Sequence, residues 1–474
     1  MSATRWTSRV KRWTSWALLG AASGSVLLHP VEADAQTTPS VAVSEEPEYP
    51  RARQLHFDLP AIDVRENASL GYWPSMRQSM AVTKDTYYAV HGALLSIPYP
   101  KSWPSWVVTL LDWGVIGATD YYTFAVPPFL GWHHEEWHRA VMSQYGIGSY
   151  DDINDFPIGQ ELVSVSHVKD ADLVRLKREH PADQVRLSAA GIEADFARQI
   201  EFDKDRFFFG TRAGTVFVEW LGTLNAIGYM TLAAEPGSDK ETSDFMAQEG
   251  NSVGVRDFTG LDPDGWVYDL FRPDEPYAAR GVHPTGVGID RYRSYSDLRP
   301  RERRYLKNTA ALAWLNLVNP QLFGLYQFKA GKFRGQALRF NASLHSVMAP
   351  FGYTLGLNLF AKAAQYNLFT TLNGFMSERL VLPGLSAELL RLPVPGLRAY
   401  LTPRARLWLQ SKDQRFDAGS AVPGAALEAR LNVPLVSTLE AYVEAAAKTS
   451  GWIPGNEFLR SSLTLRTGLE AFVF

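Results

Sequence analysis

The chain has 474 residues, no cysteine and a formal net charge of −3 at pH 7. Without cysteine it can form no disulfide, iron–sulfur cluster or thiolate zinc site, so histidine and carboxylate side chains must hold any bound metal. The near-balanced charge and the lack of a basic tract argue against a nucleic-acid partner.

The N-terminus has the pattern of an export signal. Four basic residues within 5–12 precede a short apolar run at 16–28, and Ala33-Asp34-Ala35 matches a small-x-small cleavage site. We therefore expect residues 1–35 to be a signal peptide, the alternative being an amphipathic surface helix. Residues 36–64, which begin rich in Thr, Ser, Pro and Glu, are expected to be a linker.

Residues 65–322 are predicted to form a mainly helical domain with a loop-rich part at 236–305, where Gly, Pro and Asp are frequent. Charged residues interrupt its two most apolar stretches, 105–130 and 207–234. A bilayer-spanning helix needs about 20 residues with few charges. We therefore expect buried or membrane-facing helices in these two stretches rather than spanning ones. Residues 301–325 are predicted to form a further helix.

Beyond residue 323, apolar and polar residues alternate with period two in segments about ten residues long. One such segment alternates Leu427, Ala429, Leu431 and Val433 with Glu428, Arg430 and Asn432. The segments are long enough to cross a bilayer as tilted strands, and Arg and Glu recur on the polar face as in a filled barrel lumen.

This C-terminal part resembles the bacterial outer-membrane β-barrel class, and the chain also ends in an aromatic residue, Phe474. Gly468 and Glu470 depart from the class, which has apolar residues at those alternate positions. The resemblance implies a transmembrane antiparallel barrel of about eight strands over 323–474, in the outer membrane of a Gram-negative bacterium. A soluble sandwich or lipocalin-like barrel is the alternative. The expected fold class is α+β and multidomain.

A candidate metal site lies in the helical part, at His134-Glu135-Glu136-Trp137-His138, which is an H-E-x-x-H sequence. On a helix, His134 and His138 project from one face one turn apart. They can therefore reach one zinc ion, with Glu135 beside the bound water. Zinc lowers the pKa of that water, and the carboxylate can take its proton.

The motif resembles the zincin metallopeptidases. Carried over by position, His134 and His138 match the zinc ligands and Glu135 matches the general base. The stricter family pattern has uncharged residues where this chain has Glu136 and Arg139. His133 offers a competing imidazole, and an accidental match on a polar helix is the alternative interpretation.

A third ligand is expected from Ala190-Gly191-Ile192-Glu193-Ala194-Asp195. These residues resemble the helix that supplies the third ligand in the Glu-zincin group, where small residues let it approach the first helix closely. The resemblance implies Glu193 as the ligand and Asp195 as a carboxylate that orients an imidazole. An ordinary surface carboxylate is the alternative for Glu193. The rival third ligands are Asp151, Asp152, Asp155 and His180.

The Gly-rich stretch 280–292 contains side chains able to stabilise an oxyanion. His283 and Tyr292, with Arg291 beside them, are candidates for the electrophile opposite the base. The alternative for His283 is an exposed loop histidine.

Other chemistries fit less well, because the chain has no second E-x-x-H helix for a di-iron bundle and no G-x-S-x-G elbow. We therefore expect an outer-membrane zinc hydrolase that contacts lipid and acts as a peptidase on envelope proteins or peptides. One alternative is a non-catalytic barrel protein with a helical plug or cap and a structural metal. Another is a metalloenzyme that modifies lipid or lipopolysaccharide.

Overall fold

A computed structural model describes residues 55–65, 74–155, 163–211, 214–249 and 252–473. The expected signal peptide and residues 36–54 of the predicted linker lie outside these ranges. Within them, the chain forms nine α-helices and a large antiparallel sheet of 11 strands. The α+β class is therefore confirmed.

The helices are α1 (Met76–Leu95), α2 (Ser105–Thr123), α3 (Leu130–Ser143), α4 (Asp170–Glu179), α5 (Pro181–Lys204), α6 (Val216–Ala233), α7 (Ser238–Glu249), α8 (Asp262–Phe271) and α9 (Pro300–Ala313). A π-helical turn, Asp205–Phe209, continues α5. Helices α7 and α8 form inside the part predicted to be loop-rich. The Asp-Pro pair that opens α8 is a helix start as well as a turn signal, since proline suits the first helical turn.

The strands are β1 (Leu55–Arg65), β2 (Tyr150–Asp151), β3 (Val165–Ser166), β4 (Phe328–Phe333), β5 (Gln336–Ala349), β6 (Gly352–Ala363), β7 (Tyr366–Met376), β8 (Val381–Leu390), β9 (Leu392–Pro393), β10 (Tyr400–Ser411), β11 (Ala421–Val436), β12 (Leu439–Lys448) and β13 (Ser462–Val473). Strands β2 and β3 pair separately as a short ribbon. The large sheet has the order β1-β13-β12-β11-β10-β8-β7-β6-β5-β4, with β9 beside β10.

The large sheet is not closed into a barrel by backbone pairing in the described part of the chain, because its outer strands β1 and β4 do not pair with each other. Helix α1 packs along β1 instead. The backbone N–H of Asp58 in β1 donates to the Asp85 carboxylate of α1 at 3.0 Å. A side chain from a helix thus satisfies an edge-strand donor that a closing strand would otherwise take.

Strand β1 corrects the expectation that residues up to 64 form a linker. Its buried side chains, His56 and Asp58, face the helices and carry charge. Asp58 pairs with Arg430 through both carboxylate oxygens, each at 2.8 Å. The strand was missed because ionic partners from distant parts of the chain replace the apolar residues that usually mark a buried strand face.

The two faces of the sheet differ as the alternation predicts. The face turned away from the helices, here called the outer face, exposes large apolar residues: Leu407, Leu427 and Leu463 are 61–69% exposed. The inner face carries paired charges, as where Arg404 bridges Glu388 and Glu428. Among the described residues, the helices are all too short or too polar to span a bilayer.

Helix α5 runs through the centre of the fold and is buried on nearly all sides. It packs against α3, α8 and β5. The small residues Ala189, Ala190 and Gly191 keep its middle turn thin, so neighbouring helices approach closely. The central position of α5 brings α3, which carries the H-E-x-x-H sequence, against α8 from much later in the chain.

Candidate metal centre

His134 and His138 lie on the face of α3 that packs against α5, and their ring centroids are 5.1 Å apart. The carboxylate of Asp262 at the start of α8 completes the group. Its Oδ2 atom is 3.0 Å from Nε2 of His134 and 3.2 Å from Nε2 of His138. In the described part of the chain, these three residues form the group of side chains able to hold a metal ion.

The separations between these ligand atoms suit one metal ion. Zinc bonds to nitrogen and oxygen are about 2.0–2.2 Å, which places two ligands of a tetrahedral ion about 3.3 Å apart. The observed distances of 3.0 and 3.2 Å are slightly shorter. Small outward shifts of the side chains would therefore complete the coordination.

The hydrogen bonds on the far side of each ring decide where the imidazole protons are. Nδ1 of His138 lies 2.6 Å from the carbonyl oxygen of Leu187, and Nδ1 of His134 lies 3.1 Å from the carboxylate of Asp195. A carbonyl oxygen and an ionised carboxylate only accept hydrogen bonds, so both Nδ1 atoms must carry the proton. In the neutral rings, both Nε2 atoms then present lone pairs.

Those two lone pairs converge on Oδ2 of Asp262, which is itself an acceptor. Two lone pairs that lie 3.0 and 3.2 Å from a third acceptor repel it unless positive charge lies between them. Either additional protons on the imidazoles or one metal ion can supply that charge. The group could therefore hold a metal ion between these atoms.

The pKa shifts in the group agree with this requirement. Burial lowers the pKa of His134, but its hydrogen bonds to Asp195 and Asp262 outweigh burial and raise this pKa well above the ordinary value. Burial raises the pKa of Asp262, yet the neighbouring His138 and His134 bring it below the ordinary value. The carboxylate is thus ionised, and in the metal-free protein His134 carries the compensating proton.

Gly191 of α5 provides the space in front of the two imidazoles. A Cβ atom at this position would lie 2.2 Å from Nε2 of His134 and 2.4 Å from Nε2 of His138. Leu187 and Asp195 are one helical turn before and after Gly191, so they share its face of α5. One face of this helix therefore supplies both the open space and the partners that orient the two imidazoles.

Glu193, the expected third ligand, faces away from this group, in which Asp262 is the carboxylate. Two residues along a helix correspond to a rotation of about 200°, so Glu193 must leave the face that Gly191 occupies. Its carboxylate instead contacts Arg186 at 3.0 Å, the backbone N–H of Gly455 at 2.9 Å and the indole of Trp452 at 3.1 Å. Burial raises the pKa of Glu193.

Glu135 is buried beside the group but is not one of its three members. Burial raises its pKa well above the ordinary value; the charge of His134 lowers it, whereas those of Asp151, Asp262 and Asp257 raise it further. A cation held by the group would lower this pKa by charge attraction. Glu135 is thus placed to exchange a proton in response to the charge in the site.

The other candidate ligands are used elsewhere. Asp151 accepts the backbone N–H of Ile153, and Asp152 accepts hydrogen bonds from two serine hydroxyls. Asp155 ends the short 3₁₀ turn that follows, and the ring of His180 packs on a tyrosine at 4.6 Å. Each of these residues lies outside the group formed by His134, His138 and Asp262.

His133, the competing imidazole, also lies outside the group. Its Nε2 atom is 3.3 Å from the carbonyl oxygen of Ala194. Burial, with the charge of Arg198, lowers the pKa of His133 to about 3. The ring is therefore neutral at physiological pH and serves packing between α3 and α5.

The expected electrophiles also lie outside the three-residue group. His283 hydrogen-bonds to Thr285 within its own loop, with Nδ1 3.0 Å from the hydroxyl oxygen. The Tyr292 ring packs on Gly260, where an added Cβ would be 2.9 Å away. The tyrosine that does reach the group is Tyr229 of α6: its hydroxyl oxygen accepts the backbone N–H of Asp262 at 2.8 Å.

No protein-family model, curated protein or solved structure matches this chain. Its function is therefore inferred from the site alone. Asp262 and Tyr229 are the site residues that sequence reasoning missed, and Gly191 was expected only as part of a segment of small residues. The available signals were the Asp-Pro helix start at Asp262 and the shared helix face of Gly191 and Asp195.

Proposed function

We propose that this protein is a metal-dependent hydrolase in which His134, His138 and Asp262 hold a zinc ion. The convergence of two imidazole lone pairs and one carboxylate oxygen beside Gly191 supports this proposal. A set of two nitrogen ligands and one oxygen ligand suits zinc, and three protein ligands are typical of catalytic zinc sites, whereas structural sites have four. Zinc held in this way would supply a Lewis acid that activates water at neutral pH.

The remaining residues of the site have separate tasks in the proposed reaction. Asp195 and the Leu187 carbonyl hold the two histidines in the tautomer that leaves both Nε2 atoms available. Glu135, next to His134 in sequence and buried with it, is the general base that takes a proton from the attacking water. Tyr229 holds the first turn of α8, and hence Asp262, in place.

The apolar surface supports a position at the outer membrane of a Gram-negative bacterium. Helix α2 buries only Ile116 and Asp120 and exposes large side chains such as Trp106, Leu110 and Trp113. The outer face of the sheet is likewise apolar. Soluble monomers rarely expose connected apolar surfaces of this kind. In our proposal these surfaces contact lipid in a barrel-like wall of strands completed by helices.

Envelope proteins or peptides are the proposed substrates. A second candidate function is a non-catalytic helical plug with a structural metal. It is favoured by the depth of the site, since His138 is 1% and Asp262 3% exposed. A lipid-modifying enzyme would share the same metal and the same surface.

Metal analysis combined with Glu135→Gln separates these functions. We expect one equivalent of zinc in the wild type and in the variant, and a loss of peptide hydrolysis by at least about 100-fold in the variant. Glu136→Gln, one position along the same helix, is the matched control and should retain zinc and activity. A wild type without stoichiometric metal would refute the metal centre.

Full activity of Glu135→Gln with zinc retained would instead remove Glu135 from the mechanism. Zinc binding without hydrolysis of peptides or lipids by the wild type would favour the plug. Quenching of tryptophan fluorescence by brominated lipids tests the membrane position independently of catalysis. The exposed tryptophans of α2 should be quenched when the protein is reconstituted.

A further inference from the structure

The inner face of the sheet contains a second polar site, far from α3 in sequence. Strand register places two rows of inward side chains opposite one another across β10, β11, β12 and β13. The first row is Arg406, Ala426, Lys448 and Ser462, and the second is Arg404, Glu428, Ala446 and Thr464. All eight residues line one cavity, together with Ile453 and Asn456 from the loop after β12. The two alanines at its centre leave the space open.

The charges around this cavity are unbalanced. Three basic residues, Arg404, Arg406 and Lys448, and one carboxylate, Glu428, line it, and Glu388, just outside the lining, also pairs with Arg404. Burial lowers the pKa of Lys448 to about 7, so its charge is only partial at pH 7. Glu428 already pairs with Arg404 at 2.7 Å. The Lys448 ammonium donates to three backbone carbonyls at 2.7–3.2 Å, which are neutral partners. Arg406 therefore keeps a positive charge that no direct ion pair in the lining offsets.

Several donors that line the cavity are also unused. Within the described residues, the Arg406 guanidinium and the hydroxyls of Ser462 and Thr464 make no hydrogen bond to the protein, and none of these atoms is among the fully buried unpaired ones, so they remain accessible to a ligand. Arginine offers a planar fork of donors that matches the oxygens of phosphate or carboxylate.

We propose that this cavity binds a phosphate group. Its oxygens would accept hydrogen bonds from Arg406, Ser462 and Thr464, and its charge would offset the positive lining. The phosphate is either free inorganic phosphate or the head group of a lipid, because both present the same oxygens. The site involves none of the metal-binding residues and does not depend on the hydrolase function.

Binding of inorganic phosphate to the purified full chain, measured by calorimetry at constant ionic strength, tests this site. We expect Arg406→Gln to weaken binding by about tenfold or more, because a hydrogen bond to a charged group is lost. Arg398→Gln removes an exposed arginine from the loop before β10 and should bind like the wild type. Ser462→Ala, a smaller change that keeps every ion pair, should weaken binding several-fold even if Arg406→Gln does not fold.

Phosphorus analysis of the purified proteins identifies the source. Phosphorus in the organic extract of the wild type, reduced in Arg406→Gln, indicates a lipid head group. Water-soluble phosphorus or saturable binding of added phosphate indicates the free ion. The proposal is overturned if the wild type contains no phosphorus and does not distinguish phosphate from chloride. It is also overturned if Arg406→Gln and Ser462→Ala bind phosphate as the wild type does.

Discussion

Replacing Gly191 with alanine perturbs the metal centre without changing any ligand. The added Cβ would lie 2.2 Å from Nε2 of His134 and 2.4 Å from Nε2 of His138, whereas ordinary contacts begin at 3.4 Å. Both imidazoles must therefore retreat by about 1 Å. Metal–ligand distances tolerate deviations of only about 0.2 Å. We expect zinc affinity to fall by at least about 100-fold, a loss comparable to the removal of a partner that orients a ligand.

Competition titration against a chromophoric chelator measures this loss. The control is Gly228→Ala in α6, a helical glycine with no heavy atom within 4 Å of the added Cβ. Alanine stabilises a helix interior by about 0.5–1 kcal/mol relative to glycine. A less stable helix therefore cannot explain a loss of zinc binding in Gly191→Ala. If Gly191→Ala binds zinc with wild-type affinity while Gly228→Ala does the same, the metal does not lie between these helices.

Three further predictions concern individual carboxylates. Asp262→Asn removes the charge of a proposed ligand and should lower zinc affinity by about 100-fold. Asp264→Asn, in the same helical turn, is the control and should bind zinc like the wild type. Equal zinc affinities of the two variants in a chelator competition would contradict the ligand assignment. Glu193→Gln should leave zinc affinity unchanged because its carboxylate faces Arg186, and a measured loss would restore Glu193 to the ligand set. Asp269, buried against a lysine and an arginine, has a pKa lowered by these partners despite the raising effect of burial. The contribution of Asp269 to the free energy of unfolding is fully present above the pKa that this carboxyl has in the unfolded chain. It is lost as the pH falls through the lower pKa that the carboxyl has in the folded protein. Asp269→Asn should therefore lower the free energy of unfolding by about 3 kcal/mol at pH 7, as measured by denaturant titration. The difference between wild type and variant should shrink below about pH 4. A difference that does not depend on pH would contradict the ion pair.

The helical half of the metal centre was predictable from local spacing. His134 and His138 are one turn apart on any α-helix, and the small residues around Gly191 indicate a helix that approaches another closely. The same geometry also separates Glu193, the expected third ligand, from the two histidines. A helix that turns Gly191 and Asp195 toward the histidines turns Glu193 away from them, where it meets Arg186.

The third member of the group was not predictable in this way. Asp262 is 124 residues from His138 in sequence and lies among glycines and prolines that resemble a loop. Its role depends on α8 docking against α5, and no local pattern records that packing. Strand β1 was likewise not predictable. His56 and Asp58 can occupy a buried strand face only beside partners from the π-helical turn after α5 and from β11.

The sequence by itself determined the secondary structure that follows from periodic patterns: the helix with H-E-x-x-H and the two-faced strands beyond residue 323. Such patterns are local, because each residue's face depends only on its distance along the helix or strand. The tertiary structure alone decided that Asp262 joins His134 and His138 in one group, that α1 lies along the edge of β1, and that unused donors from two strands, β10 and β13, meet in one cavity. These features arise from contacts between segments far apart in the chain, and only the packed fold specifies which charges find partners and which remain available for a ligand.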